Sequence, residues 1–105
     1  VTRPMTRAEV ETDYERNTGL VIVEAFREQG LSGADVTAVL VANHGPFAWG
    51  VDADQAVERA AIVEYLARMT AVQHAMNPHA PRPADYLIHK HFSRKHGANA
   101  YYGQK

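Results

Sequence analysis

The sequence has 105 residues, enough for one domain or part of one. Its formal net charge of -1 provides no electrostatic attraction to nucleic acid or to an anionic membrane. The absence of cysteine excludes disulfides and thiolate metal sites, and no apolar run approaches the roughly 20 residues of a membrane span. These features predict a cytoplasmic, soluble protein that binds neither nucleic acid nor a membrane.

The first predicted element is a helix that starts at Thr6. Residues 6–9, Thr-Arg-Ala-Glu, have the form of a capping box, in which two side chains satisfy backbone N–H groups at a helix start. The apolar residues that follow at helical spacing are Val10, Tyr14, Val21 and Ala25. This spacing predicts one buried stripe along the helix. Gly30 predicts the end of the helix, because glycine commonly follows the last helical residue.

Residues 39–50, Val-Leu-Val-Ala-Asn-His-Gly-Pro-Phe-Ala-Trp-Gly, predict a short buried strand and a tight turn. An apolar run bounded by turn residues is typical of a buried strand, and the pair Gly45-Pro46 is typical of a turn. His44 is therefore expected at the carboxyl end of the strand, where open α/β sheets tend to place ligand groups. Imidazole is a common metal ligand, but a structural histidine that caps the turn fits the same position.

Two more helices are predicted after this turn. Asp52, with Gln55 three residues later, marks the start of a helix over about residues 53–76. Its apolar residues do not keep to one narrow stripe, which predicts burial against the sheet and against another helix or subunit. A proline-rich connector separates it from a helix over about residues 84–96, which Gly97 ends. The predicted buried face of that last helix consists of Leu87, Ile88, His91 and Phe92.

The predicted elements are too few for a complete α/β layer. They comprise three helices but only two or three strands, whereas helices in such a layer need a broader sheet to cover. The sequence also begins with Val1 rather than Met, as if within a strand. Both observations lead us to expect that the sequence is a fragment of a longer chain.

Six histidines raise the question of a metal site. His89 and His91 point to different faces of the predicted helix, so they do not easily chelate one ion, and the sequence alone assembles no three-ligand site. Residues 89–96 are locally basic, and they form either a solvated helix end or a cationic edge for a phosphorylated substrate. Tyr102 in the aromatic tail is either a packed ring or an acid/base.

Three motifs carry a resemblance to a known family. They are Asn-His-Gly-Pro-Phe-Ala-Trp-Gly at 43–50, Lys-His-Phe-Ser-Arg-Lys-His-Gly at 90–97, and Ala-Tyr-Tyr-Gly-Gln at 100–104. Together with the helix around Tyr14-Glu15, they resemble the L-ribulose-5-phosphate 4-epimerases of the class II aldolase/adducin superfamily, over the whole chain and in order. The resemblance implies the α/β class, with residues 1–105 as the C-terminal half of one three-layer α/β/α class II aldolase-type domain.

The same resemblance implies roles for four residues. His44 matches the third histidine ligand of a catalytic zinc or other divalent metal, whose other two ligands come from a His-x-His motif upstream of Val1. Tyr102 matches a catalytic tyrosine that transfers a proton in the active site of a neighbouring subunit, opposite an upstream aspartate. His91 and Glu15 match polar positions that support the substrate site.

The activity implied by the resemblance is interconversion of L-ribulose 5-phosphate and D-xylulose 5-phosphate in pentose catabolism, such as the use of arabinose. Carbon 4 bears no acidic C–H, so the family breaks and re-forms the C3–C4 bond in a zinc-assisted retro-aldol/aldol sequence. A homotetramer with the active site at a subunit interface is implied as well, and the 105 residues alone are expected to be inactive. Two alternatives are a class II aldolase that cleaves a ketose phosphate and a non-catalytic adducin-like module.

Overall fold

The computed structural model describes residues 1–98, 100 and 101, which form four helices and one two-stranded antiparallel sheet. In chain order the elements are α1 (Arg7–Thr12), α2 (Tyr14–Glu28), β1 (Ala38–Val41), β2 (Gly45–Ala48), α3 (Ala53–Met76) and α4 (Asp85–His96). The mixture of helices and strands agrees with the predicted α/β class. The chain divides into two compact units, residues 1–72 and residues 73–105. Within the part of the chain described, no helix combines the length and the apolar character needed to cross a membrane.

The predicted first helix is two helices, because the chain breaks at Asp13. α1 begins with the predicted capping box: Glu9 N–H donates to the Thr6 hydroxyl at 3.3 Å, and Thr6 N–H donates to the Glu9 carboxylate at 2.7 Å. Asp13 has φ -144° and ψ 76°, outside the helical region. Asn17 Nδ2 donates at 2.8 Å to the Glu9 carbonyl oxygen, the acceptor that a continuous helix would pair with Asp13 N–H. A side chain thus replaces the lost backbone bond, and α2 starts at Tyr14.

The end of α2 was predicted correctly, but its buried stripe only in part. Gly30 follows the last turn with φ 62°, a conformation that glycine adopts readily. The buried residues of α2 are Thr18, Val21 and Ala25. Val10 and Tyr14 are 45% and 38% exposed. Val10 lies in α1, so the break at Asp13 takes it out of phase with Val21, whereas Tyr14 lies on the first turn of α2, where the helix begins.

β1 and β2 form a hairpin whose turn comprises residues 42–44, not Gly45-Pro46 as predicted. Val41 pairs with Gly45, so Gly45 and Pro46 belong to β2. Asn43 makes the turn with φ 62°, since asparagine tolerates the left-handed region better than most residues with a side chain. His44 N–H closes the turn by donating to the Val41 carbonyl oxygen at 3.0 Å.

Pro46 fits inside β2 because its place in the ladder needs no N–H donor. Trp49 N–H donates to Thr37 O at 3.1 Å just beyond the strands, and hydrogen-bonded pairs alternate along an antiparallel ladder. The pair Leu40–Pro46 is therefore one of those without ladder bonds. The Leu40 carbonyl instead accepts from Thr2 N–H at 2.9 Å, so the N-terminal segment lies along the outer edge of β1.

α3 has the predicted bounds but not the predicted burial. Asp52 Oδ1 accepts from Gln55 N–H at 2.8 Å, and Gln55 Oε1 accepts from Val51 N–H at 3.1 Å, which caps the first turn as expected. No residue of α3 is buried. Its exposed large apolar residues are Val57, Ile62, Tyr65, Leu66, Met69, Val72 and Met76. The prediction of burial on more than one side is wrong for this chain, because a two-stranded sheet is too narrow to cover such a helix.

α4 shows the same contrast between correct bounds and incorrect burial. Ala84 is its N-cap and Gly97 its C-cap, within one residue of the prediction. No residue of α4 is buried, and the predicted buried face remains exposed at Leu87, Ile88, His91 and Phe92. An apolar stripe indicates which face of a helix is suited to burial, but not whether the same chain supplies a cover.

Candidate functional site

The candidate site is built on the hairpin turn, where His44 is exposed. Its main chain is fixed on both sides: His44 N–H is bonded to Val41 O, and the next residue, Gly45, is the first of β2. Gly45 has φ 143°, a conformation that a residue with a side chain rarely adopts. The turn therefore presents His44 from a backbone that the adjoining strands define.

Two aromatic rings contact the His44 imidazole. The Phe47 ring lies 5.1 Å from it between centroids, with 30° between the ring planes. The Tyr14 ring lies at 6.2 Å, with an interplanar angle of 31°. Both distances are in the range of favourable aromatic pairs. We call Tyr14, His44 and Phe47 the aromatic cluster; it joins the start of α2 to the hairpin.

The helix break places Tyr14 at the first position of α2. Its carbonyl oxygen accepts from the hydroxyl of buried Thr18 at 2.8 Å, so the first turn of α2 is tied to the buried face of the same helix. Asn17, which bonds back to the carbonyl of Glu9, fixes α1 against this turn. The position of Tyr14 thus depends on side-chain hydrogen bonds that no helical periodicity would predict.

An ion-pair cluster around Arg3 reinforces the same region. Two guanidinium nitrogens of Arg3 donate to the Glu9 carboxylate at 3.0 and 2.8 Å, and Arg3 also donates twice to Glu24 at 2.9 Å. Hydrogen bonds from Arg3, followed by those from Thr6, lower the pKa of Glu9 from 4.5 to about 2. The Arg3 bonds also lower the pKa of Glu24, and the two carboxylates raise the pKa of Arg3. Three charged side chains therefore link the N-terminal segment to α1 and α2.

The predicted site residues fall in different parts of the structure. His44 and Glu15 belong to the first unit, where Glu15 is exposed on the first turn of α2. The residue of α2 whose ring contacts His44 is its neighbour, Tyr14. His91 is exposed on α4 in the second unit, and Tyr102 lies outside the described residues.

His44 has donor chemistry suited to a divalent metal, since an exposed imidazole is a normal ligand for zinc. Within residues 1–98, 100 and 101, however, no three His, Asp or Glu side chains are grouped closely enough to hold a metal ion. A catalytic zinc takes three protein ligands. His44 therefore fits such a site as one ligand, and the others would have to come from residues beyond those described.

The basic part of α4 borders a cavity in the second unit. The cavity has a volume of about 400 Å³, and its lining residues are Lys90, Ser93, Arg94, Gly97, Ala98 and Tyr101. Arg94 Cζ lies 5.5 Å from the centre of the Tyr101 ring, and Tyr101 N–H donates to the Arg94 carbonyl oxygen at 3.1 Å. These contacts give the C-terminal end of α4 a defined, cationic surface.

Tyr14 and Phe47 were not predicted as neighbours of His44. Tyr14 was assigned to a buried stripe, and the turn was predicted at Gly45-Pro46, next to Phe47. A hairpin register with the turn at Asn43 would have placed Phe47 in β2, within reach of His44 at the end of the turn. No sequence pattern indicated the break at Asp13 that defines the position of Tyr14.

Comparison with known proteins shows what the chain is similar to. Residues 3–71 match the family described as "Class II Aldolase and Adducin N-terminal domain". The chain is 47% identical over 104 residues to L-ribulose-5-phosphate 4-epimerase UlaF of Salmonella paratyphi B (strain ATCC BAA-1250 / SPB7), which covers 99% of this chain and 45% of the relative. The protein of the same name from Salmonella typhi gives the same values, and that from Salmonella paratyphi C (strain RKS4594) is 46% identical over the same lengths. The chain thus spans 45% of the length of these relatives.

Proposed function

Because the chain belongs to the class II aldolase and adducin family, we propose that it contributes the C-terminal half of an enzyme that interconverts L-ribulose 5-phosphate and D-xylulose 5-phosphate. The observation that carries this proposal is the identity, over nearly the whole chain, to proteins named L-ribulose-5-phosphate 4-epimerase. The enzyme would act in the cytoplasm, in the catabolism of a pentose.

The complete domain is proposed to have three layers, α/β/α. The exposed apolar residues of α3 and α4 support this arrangement, since they provide surfaces that further strands or helices of the same domain can cover. The outer edge of β1, where Thr2 is bonded, provides a start for a wider sheet. Completion of the domain would bury residues that the 105-residue chain leaves exposed.

His44 is the proposed metal ligand of this half. When bound, a zinc ion or other divalent metal supplies Lewis-acid catalysis by polarising oxygen atoms of the substrate. The role of His44 is to donate one nitrogen from the hairpin turn, and two histidines from the other half would complete the ligand set. One ligand cannot hold the ion alone, so the 105 residues by themselves would be inactive.

The proposed chemistry inverts carbon 4 by breaking and re-forming the C3–C4 bond. The carbon-4 hydroxyl loses its proton as the bond breaks, and the aldehyde turns its other face before the bond forms again. Tyr102 is proposed to hold or return that proton, since a phenol can act as an acid and its phenolate as a base. His91 and Glu15 are proposed to orient the substrate by hydrogen bonds.

The substrate is a phosphorylated pentulose, and the cavity beside α4 supports this choice. Lys90 and Arg94 line it, and both side chains suit a phosphate group. We further propose a homotetramer in which Tyr102 of one subunit acts in the site of its neighbour. The exposed apolar faces of α3 and α4 support an assembled state.

The test uses the full reading frame that encodes this chain, with zinc added. Epimerisation of L-ribulose 5-phosphate and bound metal are measured for wild type, His44→Ala and Tyr102→Phe, with His74→Ala as a control for loss of an exposed histidine. The proposal expects His44→Ala to lose metal and activity, and Tyr102→Phe to keep metal but react much more slowly. Free glycolaldehyde phosphate as the main product would instead indicate an aldolase. A frame that lacks the His-x-His pair and binds no zinc would indicate a non-catalytic adducin-like module.

A further inference from the structure

We propose that Tyr14 and Phe47 are positioning residues for His44, whose imidazole they orient for binding of the metal. The inference rests on the proposed function, in which His44 is a metal ligand. Neither residue is expected to touch the metal or the substrate. Their role is to limit the orientations of one ligand before the metal arrives.

The main chain of the turn does not by itself orient the imidazole. Backbone hydrogen bonding fixes the Cα of His44, but its side chain still has several staggered positions. A metal-binding histidine usually donates its second ring N–H to a carboxylate or a carbonyl, which fixes the ring plane. Within the described part of the chain, no hydrogen bond is made by either ring nitrogen of His44. Within the described residues, the ring contacts with Phe47 and Tyr14 therefore restrict the imidazole in place of such a hydrogen bond.

The two aromatic residues come from elements that are themselves held in place. Phe47 is in β2, opposite Val39 in the ladder. Tyr14 begins α2, and the Arg3 cluster and the Asn17 amide fix this helix to α1. The Phe47 ring is close to parallel with the imidazole, so rotation of His44 about its side-chain bonds would disturb this stacking.

Ordering of a ligand before binding raises affinity, since the entropic cost of ordering is then not incurred on binding. Loss of one such ring contact is expected to weaken zinc binding by roughly two- to tenfold, which is the usual size of an aromatic pair contact expressed as a ratio of dissociation constants. Tyr14→Phe keeps the ring and should preserve affinity, whereas Tyr14→Leu and Phe47→Leu should not. Tyr65→Leu, at an exposed tyrosine of α3, is the matched control.

The experiment uses the zinc-binding protein from the full reading frame. Zinc dissociation constants are measured by competition with a chelator, and the visible absorption spectrum is recorded after replacement of zinc by Co²⁺. Tyr14→Leu and Phe47→Leu should each bind zinc roughly two- to tenfold more weakly and show altered cobalt bands, while Tyr14→Phe and Tyr65→Leu match wild type. The cobalt spectrum reports ligand geometry, which a general loss of stability would not alter. If Phe47→Leu fails to fold, the comparison of Tyr14→Phe with Tyr14→Leu still decides the question. If Tyr14→Leu fails to fold, Phe47→Leu decides it.

His44→Ala in the same assays separates the two proposals. If His44→Ala loses zinc while both leucine variants keep wild-type affinity and cobalt spectra, the positioning role is refuted and the metal role of His44 stands. If His44→Ala binds zinc as wild type does, the metal role fails, and the positioning role fails with it.

Discussion

Replacement of Val21 by alanine tests where the core of the first unit lies. Val21 is 1% exposed, whereas Val23 on the opposite side of the same helix is 53% exposed. Each substitution removes two methyl groups, and each raises helix propensity by the same few tenths of a kcal/mol. The difference between the two variants therefore isolates burial.

The expected magnitude follows from these exposures. Removal of two fully buried methyl groups costs about 1.6 kcal/mol of transfer free energy, and the cavity left behind adds about 0.5 kcal/mol or more. The half-exposed Val23 loses about half of the transfer term and leaves no cavity. We therefore expect Val21→Ala to lower the free energy of unfolding by about 1.3 kcal/mol or more beyond the effect of Val23→Ala.

Urea unfolding followed by tryptophan fluorescence measures this difference. Trp49 is the single tryptophan, its ring lies 5.6 Å from that of Phe26, and its indole N–H donates to Gly33 O at 2.8 Å. It should therefore report loss of the contacts between α2 and the hairpin region. If the two variants unfold at the same urea concentration with equal slopes, Val21 is not the core residue that the structure shows.

Three further predictions concern the electrostatics, the cap of α3 and the turn. Arg3 lowers the pKa of Glu9 to about 2 in the folded state, compared with an ordinary value of 4.5. Their pairing therefore stabilises the protein fully above pH 4.5, and this stabilisation is lost as the pH falls from 4.5 towards 2. In urea titrations at several pH values, Arg3→Met should flatten this pH dependence of stability, whereas Arg7→Met, at an exposed arginine, should not. Asp52→Ala should cost about 1 kcal/mol and speed amide hydrogen exchange in the first turn of α3, and unchanged exchange would argue against this cap. Asn43→Val should destabilise the hairpin by about 1–2 kcal/mol, because valine avoids positive φ. Asn43→Gly should not destabilise it. Equal stability of these two variants would show that the turn is not at Asn43.

Apart from the break at Asp13, the bounds of the helices were predictable because local chemistry determines them. Thr6 and Asp52 cap the helices that follow them, and Gly30 has the left-handed conformation expected after α2. Such interactions involve residues three or four positions apart, so they can be inferred from the sequence. The family was also predicted correctly, from motifs at residues 43–50, 90–97 and 100–104.

The position of the turn and the break in the first helix were not predictable, because in each case two local backbone conformations were compatible with the sequence. The turn could have formed at Gly45-Pro46, but Asn43 accepts positive φ, and Pro46 is placed where no donor is needed. The break at Asp13 depends on Asn17, whose amide replaces a backbone hydrogen bond. The sequence has the same composition and apolar periodicity whichever turn forms and whether or not the helix breaks, so these patterns could not decide between the alternatives.

Burial and the surroundings of the site depend on partners that are distant in sequence. The apolar pattern of α3 indicates a surface suited to burial, but the described residues do not cover it. The motif led to the prediction that His44 is a ligand, whereas its contacts with Tyr14 and Phe47 needed the hairpin register and the start of α2. The sequence could therefore propose a ligand but not the geometry around it.

The most direct test of the central claim is the conversion of L-ribulose 5-phosphate by the zinc-loaded protein from the full reading frame, compared with its His44→Ala variant. The account predicts formation of D-xylulose 5-phosphate by wild type and loss of both turnover and bound zinc in the variant. Equal turnover by wild type and His44→Ala, or no D-xylulose 5-phosphate from a folded, zinc-loaded wild type, would contradict it.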